Sequence, residues 1–179
     1  SVVAMEWTWN GSKPQPGVAF PLMIWPGLGS AQTVVSVFDV TDPTAPTVVE
    51  RTTLDGQLRA ARGIGDDIYL VVENRFAPLF TIGGQSGLPS GLPNEAPIFI
   101  SAGGGDDSLV TVARLSPTDN QVGIDEAAVM AGMGGTVFAS ESMVYLAGTK
   151  WDAAGGPVTI LSGFALGGGV RHVASGSVP

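Results

Sequence analysis

With 179 residues the chain is long enough for one domain with a substantial core, and the absence of cysteine excludes disulfides, thiolate catalysis and cysteine-based zinc sites. A formal net charge of -8, with only eight Lys and Arg residues, argues against a nucleic-acid partner and an anionic membrane surface, because both bind through clustered basic side chains. Glycine is abundant at 26 residues and charged residues make up only 13%, so the chain is expected to turn often and to expose small polar side chains.

The first predicted strand covers residues 1–9, in the stretch SVVAMEWTWN, and a long loop over residues 10–32 follows it. This loop holds the most apolar stretch of the chain, GVAFPLMIWPGLG, which is too short to cross a bilayer and is interrupted by Pro21 and Pro26. Its prolines and glycines also disfavour a helix. Because Ser1 is not preceded by a basic and apolar leader, we interpret the sequence as a processed or partial chain.

A unit of four short strands is predicted over residues 33–74. It begins with TVVSVFDV, in which apolar residues alternate with small or polar ones, the period expected of a half-buried strand. The stretch TDPTAP then predicts a turn, since proline fixes one backbone dihedral and aspartate caps its own backbone. The four strands are predicted near residues 34–40, 46–54, 57–63 and 67–73.

The same pattern returns after a second long loop over residues 75–107. The second unit covers residues 108–150, and its fourth strand carries Val144-Tyr145-Leu146 at the position that Ile68-Tyr69-Leu70 occupy in the first unit. The stretch DEAAVMA at 125–131 also fits a helical period, but its Gly-rich flanks favour a strand. The strands of the second unit are predicted near residues 109–115, 121–130, 135–139 and 143–149.

A third unit begins near residue 158, after a short loop at 152–157, and provides two strands before Pro179. Tandem antiparallel units of four strands, none able to bury both faces alone, are typical of β-propeller blades, with a β-sandwich as the alternative. The sequence therefore predicts an all-β fold, a propeller of four-stranded blades. The chain would hold about two full blades, the last strand of a preceding blade and the start of a further one at 157–179.

These residues also resemble a known family, the secreted prokaryotic proteins with a C-terminal β-propeller that is distantly related to WD40 repeats. The resemblance lies in the order of strand, turn and strand in VSVFDVTDPTAPTVVERTTLDGQLRAARGIGDDIYLVVEN. It continues in GTVFASESMVYLAGTKW and in VTILSGFALGGGVRHVASGSVP, so that it covers most of residues 33–179.

The resemblance implies a fold and a place outside the cell, and hardly any chemistry. Members of the family carry a whole propeller, whereas this chain holds too few strands for the four blades that closure requires. The missing blades would therefore belong to a longer protein or be completed by other chains.

Candidate catalytic and metal-binding residues each have a structural explanation. His172 is the only histidine and no Gly-x-Ser-x-Gly elbow is present, so a strand histidine is favoured over a catalytic triad. Asp66-Asp67 and Asp106-Asp107 could contribute to a calcium site, but they lack the spacing of a calcium loop and suit turns at strand starts. The glycine runs at 103–105 and 167–169 do not match a phosphate-binding loop and are interpreted as a loop and a hairpin turn.

Aromatic residues give the candidate interface positions. Trp7 and Trp151 stand at equivalent ends of fourth strands, which favours a repeated packing role. Trp25, in the Pro-rich first loop, and Phe76, at the start of the second loop, are the candidate interface residues, because exposed aromatic anchors in long loops often contact partners.

The sequence thus favours a non-catalytic exported propeller that binds a protein or a polysaccharide through its inter-blade loops at the cell surface. No cofactor, metal, nucleic-acid partner or membrane insertion is expected. The alternative is a structural subunit of an extracellular polymer or sheet, whose open edges are completed by strands of neighbouring chains. An enzyme is the third class, and no residue pattern supports it.

Overall fold

The computed structural model describes residues 2–10, 30–75, 91–93, 95–101, 106–117, 123–151 and 155–178, with backbone alone for 2–10, 30 and 75. Twelve strands and no helix form within these ranges. The described part of the chain therefore contains no helix long and apolar enough to cross a membrane. The strands are β1 (Val2–Asn10), β2 (Ser30–Asp39), β3 (Thr47–Asp55), β4 (Gln57–Ile64), β5 (Asp67–Arg75), β6 (Ile98–Ile100), β7 (Ser108–Leu115), β8 (Ile124–Ala131), β9 (Thr136–Ala139), β10 (Met143–Trp151), β11 (Pro157–Ala165) and β12 (Arg171–Val178).

The prediction of an all-β chain is confirmed, and the predicted strands lie within a few residues of the observed ones. Residues 125–131 fall in β8, so the strand interpretation was right and the helical one wrong. The exception is β6, which lies inside the predicted loop at 75–107 and pairs in parallel with β8. Three residues beside a Pro-rich segment are too few to show a period, and the sequence pattern therefore missed this strand.

Hydrogen bonds arrange the strands in three sheets. The first sheet has the order β1-β2-β3, the second β4-β5-β7-β8-β6 and the third β9-β10-β11-β12. In the second and third sheets, the last two strands of one predicted unit thus pair with the first two of the next. The sheets divide the chain at other points than the predicted blades at 33–74 and 108–150.

A single glycine explains where the first sheet ends. Gly56 alone separates β3 from β4, which is too short for a hairpin turn, so the chain passes from the first sheet to the second. Its φ is +127°, and an added Cβ would lie 2.6 Å from Val72 Cγ1. As a result, the segments predicted as inter-blade loops at 10–32, 75–107 and 152–157 join strands that are neighbours in one sheet.

The three sheets stack face to face, with the second sheet in the middle. Because both faces of its central strands β5, β7 and β8 are buried, these strands contain longer apolar runs than a simple alternation would give. Leu70 of β5 faces the first sheet, and the adjacent Tyr69 faces the third. The core between the first and second sheets contains Val35, Val37, Leu54, Leu70, Val72, Ala113, Leu115 and Ala127. The core between the second and third contains Tyr69, Val71, Val110, Val112, Ala128, Met130, Met133, Val144, Leu146, Ile160, Phe164 and Leu166.

Candidate functional site

A cleft of about 460 Å³ opens between the second and third sheets at one end of the stack. Its walls come from the residue after β6, one residue before β7, the connection from β8 to β9, the end of β10 and one residue of β11. The residues that line it are Ser101, Asp106, Gly132, Met133, Gly134, Gly148, Thr149, Lys150, Trp151 and Ile160.

Backbone forms one wall of this cleft, because the connection from β8 to β9 presses directly against β10. A Cβ on Gly148 would lie 2.9 Å from the carbonyl oxygen of Gly134. Gly135 has a φ of +144°, and a Cβ there would overlap the carbonyl oxygen of Ala147. Side chains at these positions would push the two elements apart, so the glycines allow their backbones to approach this closely.

The Asp106 carboxylate holds the edge of the cleft in place. Its Oδ1 accepts a hydrogen bond from the backbone N–H of Ser108 at 3.0 Å, and the Gly134 N–H lies 3.1 Å from both carboxylate oxygens. Asp106 therefore ties the start of β7 to the connection between β8 and β9. This agrees with the interpretation of Asp106 as an acid at a strand start.

The cleft also contains a buried hydroxyl, that of Ser101, and an exposed aromatic ring, that of Trp151. Ser101 is buried, and its Oγ has no hydrogen-bond partner within the part of the chain that is described. The Ser101 N–H donates to the Ala131 carbonyl at 2.9 Å, which fixes the residue beside the cleft. Trp151 is 72% exposed at the rim. At this exposure the indole does not pack in a core, so the predicted packing role of Trp151 is wrong.

Asp67, from the other acidic pair, has a structural role at the opposite end of the second sheet. The Asp67 carboxylate contacts the Arg114 guanidinium at 3.4 Å and accepts a hydrogen bond from the Ser116 hydroxyl. Arg114 also lies 3.3 Å from Glu126. Glu126 Oε2 accepts from the Val170 N–H at 2.8 Å, which fastens the turn before β12 to the second sheet. No group of three or more His, Asp or Glu side chains in the described ranges is placed to hold a metal ion.

His172 lies in β12, as the sequence predicted. Its ring packs on Phe99 at 4.6 Å and on Phe164 at 5.3 Å between centroids, and its Nε2 is 3.0 Å from Ser175 Oγ. The glycine run at 167–169 has positive φ at all three residues and forms the turn between β11 and β12, so that prediction is confirmed.

The candidate interface residues Trp25 and Phe76, and the glycine run at 103–105, lie outside the described residues. Sequence reasoning missed the cleft itself. Its glycines were visible in the stretches AGMGGTV and LAGTKW, but these lie in different elements, and only the stacking of two sheets brings them together.

Comparison with known proteins adds one finding. A family model described as a β-propeller domain matches residues 10–179, almost the whole chain. No curated protein and no solved structure matches significantly. The family match and the stacked antiparallel sheets together confirm the predicted fold class.

Proposed function

Since this chain belongs to the β-propeller domain family, we propose that it is a non-catalytic scaffold that binds a protein or a polysaccharide at the surface of a prokaryotic cell. The fold alone does not select a function. The observation that carries the proposal is the cleft beside Trp151, where an exposed indole stands next to buried and polar groups.

The cleft has the features of a small binding site. Its volume of about 460 Å³ lies within the range of roughly 300–1,000 Å³ that is usual for ligand sites. Such sites combine apolar walls with a few polar groups, here Met133 and Ile160 with Asp106 and Ser101. A buried hydroxyl without a partner is costly, and a bound ligand or water would relieve that cost.

The non-catalytic part of the proposal rests on how the reactive groups are engaged. Asp67 is paired with Arg114, and Asp106 caps backbone N–H groups. His172 contacts Ser175 and two aromatic rings, which accounts for its position as a strand histidine. These contacts give each residue a structural task that does not need a substrate.

Retention on cell envelopes tests the proposal. Fluorescently labelled protein is incubated with washed envelopes of its source cells, and the retained fraction is measured. Thr149→Trp, which puts a much larger side chain at a residue of the cleft lining, should lower the apparent affinity about tenfold or more. Thr136→Trp is the matched control, because Thr136 is also exposed in the third sheet but does not line the cleft.

Two treatments of the envelopes identify the kind of ligand. Periodate oxidation removes polysaccharide ligands, and protease digestion removes protein ligands. Equal retention of the wild type and Thr149→Trp, or no retention of the wild type, would rule out the cleft as a binding site. Protease treatment of intact cells tests the surface location, since a protein inside the cell would survive it.

A second candidate function, a structural subunit, is supported by the outer face of the third sheet. Tyr69 and Tyr145 occupy equivalent strand positions, yet Tyr69 is 2% exposed and Tyr145 is 42% exposed. Val71 and Val112 are paired neighbours buried under the third sheet, whereas in the corresponding pair on the outer face Ala147 is half-buried and Leu161 is 40% exposed. By this internal comparison, a further sheet belongs on the outer face.

We propose that this further sheet comes from a second copy of the chain. A sheet of the same chain covers Tyr69, so a sheet of another copy is suited to cover the equivalent Tyr145. The edge strand β12 adds to this argument, because most of its residues are exposed and its charged residue, Arg171, stands at its start. Exposed strand edges with few charges readily pair with other strands.

Light scattering over a range of concentrations tests the assembly. The wild type should show a mass that is a multiple of 18.2 kDa, and Tyr145→Lys should reduce it to that of one chain. Ser142→Lys, in an exposed turn of the same sheet, adds the same charge and should leave the mass unchanged. A wild type that remains monomeric at the highest concentration would overturn this candidate.

A further inference from the structure

We infer that the cleft beside Trp151 is a site for a neutral saccharide. This inference rests on the proposed binding function and narrows its ligand to one chemical class. Three properties of the cleft lead to it: the balance of its charges, the exposed indole, and the polar groups that stand close to apolar side chains.

The charges of the lining favour an uncharged ligand. Asp106 and Lys150 both line the cleft, so a purely anionic or a purely cationic ligand would meet a charge of its own sign. The net charge of -8 adds a general repulsion against polyanions. A neutral ligand with many hydroxyl groups avoids both penalties and can still hydrogen-bond to charged groups.

The apolar parts of the cleft suit the faces of a sugar ring. Trp151 is 72% exposed and offers a flat indole surface at the rim, while Met133 and Ile160 are apolar side chains deeper in the lining. An aromatic ring that can stack on a ligand contributes binding energy at little entropic cost, because it has only two side-chain torsions. The C–H faces of a pyranose are the kind of apolar surface that such a ring covers.

The polar parts suit the hydroxyl groups of the same ring. The Asp106 carboxylate is held in a fixed orientation by the N–H groups of Ser108 and Gly134, so it is a preorganised acceptor. Ser101 adds a buried hydroxyl for which no protein partner is found in the described ranges. A ligand that carries both hydroxyl groups and C–H faces matches this lining better than a purely apolar or a purely polar ligand.

Titration with a panel of neutral oligosaccharides tests the inference. The panel contains gluco-, manno-, galacto- and N-acetylglucosamine hexamers, and binding is followed by calorimetry and by the indole N–H signal of Trp151 in NMR spectra. At least one member should bind the wild type and shift that signal. Trp151→Ala should weaken this binding about tenfold or more, whereas Trp151→Phe, which keeps an aromatic ring, should lose less.

Phe138→Ala is the matched control, since Phe138 is 64% exposed in the same sheet and does not line the cleft. It should bind like the wild type, and the thermal midpoints of all variants should agree, which separates lost binding from lost folding. Failure of every oligosaccharide to bind, or full binding by Trp151→Ala, would overturn the saccharide site. The scaffold proposal is tested separately, and it fails if the wild type and Thr149→Trp are retained equally on cell envelopes. If Thr149→Trp lowers retention but periodate treatment of the envelopes does not, the cleft binds a ligand other than a saccharide, and only the saccharide inference is refuted.

Discussion

Single residues decide how this chain moves from sheet to sheet, and Gly56 is the clearest case. With a φ of +127° and no room for a Cβ beside Val72 Cγ1 and Glu73 O, Gly56→Ala should destabilise the fold by about 2 kcal/mol or more. Gly63 is the control, because a Cβ there would meet nothing within 4 Å and its φ is ordinary. Gly63→Ala should be neutral or stabilise by about 0.5 kcal/mol. Urea unfolding of both variants checks the pair, and equal effects would contradict it.

The turn after β2 makes a prediction about pH. Both the hydroxyl and the N–H of Thr44 donate hydrogen bonds to the Asp42 carboxylate. These bonds, the hydroxyl's being the larger cause, lower the pKa of Asp42 below its ordinary value of 3.8. Asp39 has the same relation to Thr41. Because the folded pKa is lowered, the stabilisation by each aspartate is present above the unfolded value and is lost as the pH falls through the folded pKa.

Thr44→Val removes the larger of the two causes and should raise the pKa of Asp42 towards 3.8. The pKa of Asp39 should stay where it is, which makes the neighbouring turn an internal control. Carboxyl carbon chemical shifts between pH 2 and pH 6 would follow both groups. An unchanged Asp42 titration would show that the backbone N–H alone lowers its pKa.

At the scale of elements, β5 contributes buried side chains to both hydrophobic cores. Leu70 is fully buried between the first two sheets, so Leu70→Ala should cost about 2–5 kcal/mol. Leu161→Ala is the matched control, because Leu161 is 40% exposed on the outer face of the third sheet, and it should cost about 0.5 kcal/mol or less in the monomer. Denaturation midpoints measured at low protein concentration compare the two, and similar losses would contradict the burial on which the stacked arrangement is argued.

A hydrogen bond joins the same strand to the third sheet. Tyr69 is buried and its hydroxyl oxygen accepts from the Gly167 N–H at 3.0 Å, at the turn between β11 and β12. Tyr69→Phe should lower the free energy of unfolding by about 1 kcal/mol and increase hydrogen exchange at Gly167. Tyr145→Phe, at the equivalent but exposed position, should leave both measurements unchanged. Equal exchange at Gly167 in the wild type and Tyr69→Phe would show that this bond does not hold the turn.

The positions of the strands were predictable, because the alternation of apolar residues is visible within each short segment. The pairing of the strands into sheets was not predictable from this pattern. TVVSVFDV and SLVTVARL show their alternation within eight residues each, and both became strands close to the predicted positions. Which strands pair depends on contacts between residues far apart in sequence, such as Tyr69 with Arg114 or Leu146 with Ser162. Because Gly56 alone links β3 to β4, the chain changes sheets in the middle of the first predicted unit. A repeat of four strands does not predict a change of sheet at that point.

On the scale of the whole molecule, the candidate site lay beyond sequence reasoning for the same reason. Ser101, Asp106, Gly148 and Trp151 come from separate segments, and each has a common local explanation when read alone. Only the stacking of the second sheet on the third places them around one cleft. The β-propeller fold class was accessible from the sequence, because the repeated order of strands and turns is a property of the sequence itself.

The charge of the whole chain makes a final prediction about assembly. Each copy carries a net charge of -8, so two copies repel at low ionic strength, while Phe138, Tyr145 and Leu161 on the outer face are exposed uncharged side chains. If that face joins the copies, raising NaCl from about 0.05 M to 1 M screens the repulsion and should leave the assembled mass unchanged or larger. Sedimentation velocity at both salt concentrations measures this, with Tyr145→Lys as the dissociated reference. Dissociation of the wild type at high salt would instead point to a contact between charged groups, and the apolar face would lose its role as the interface.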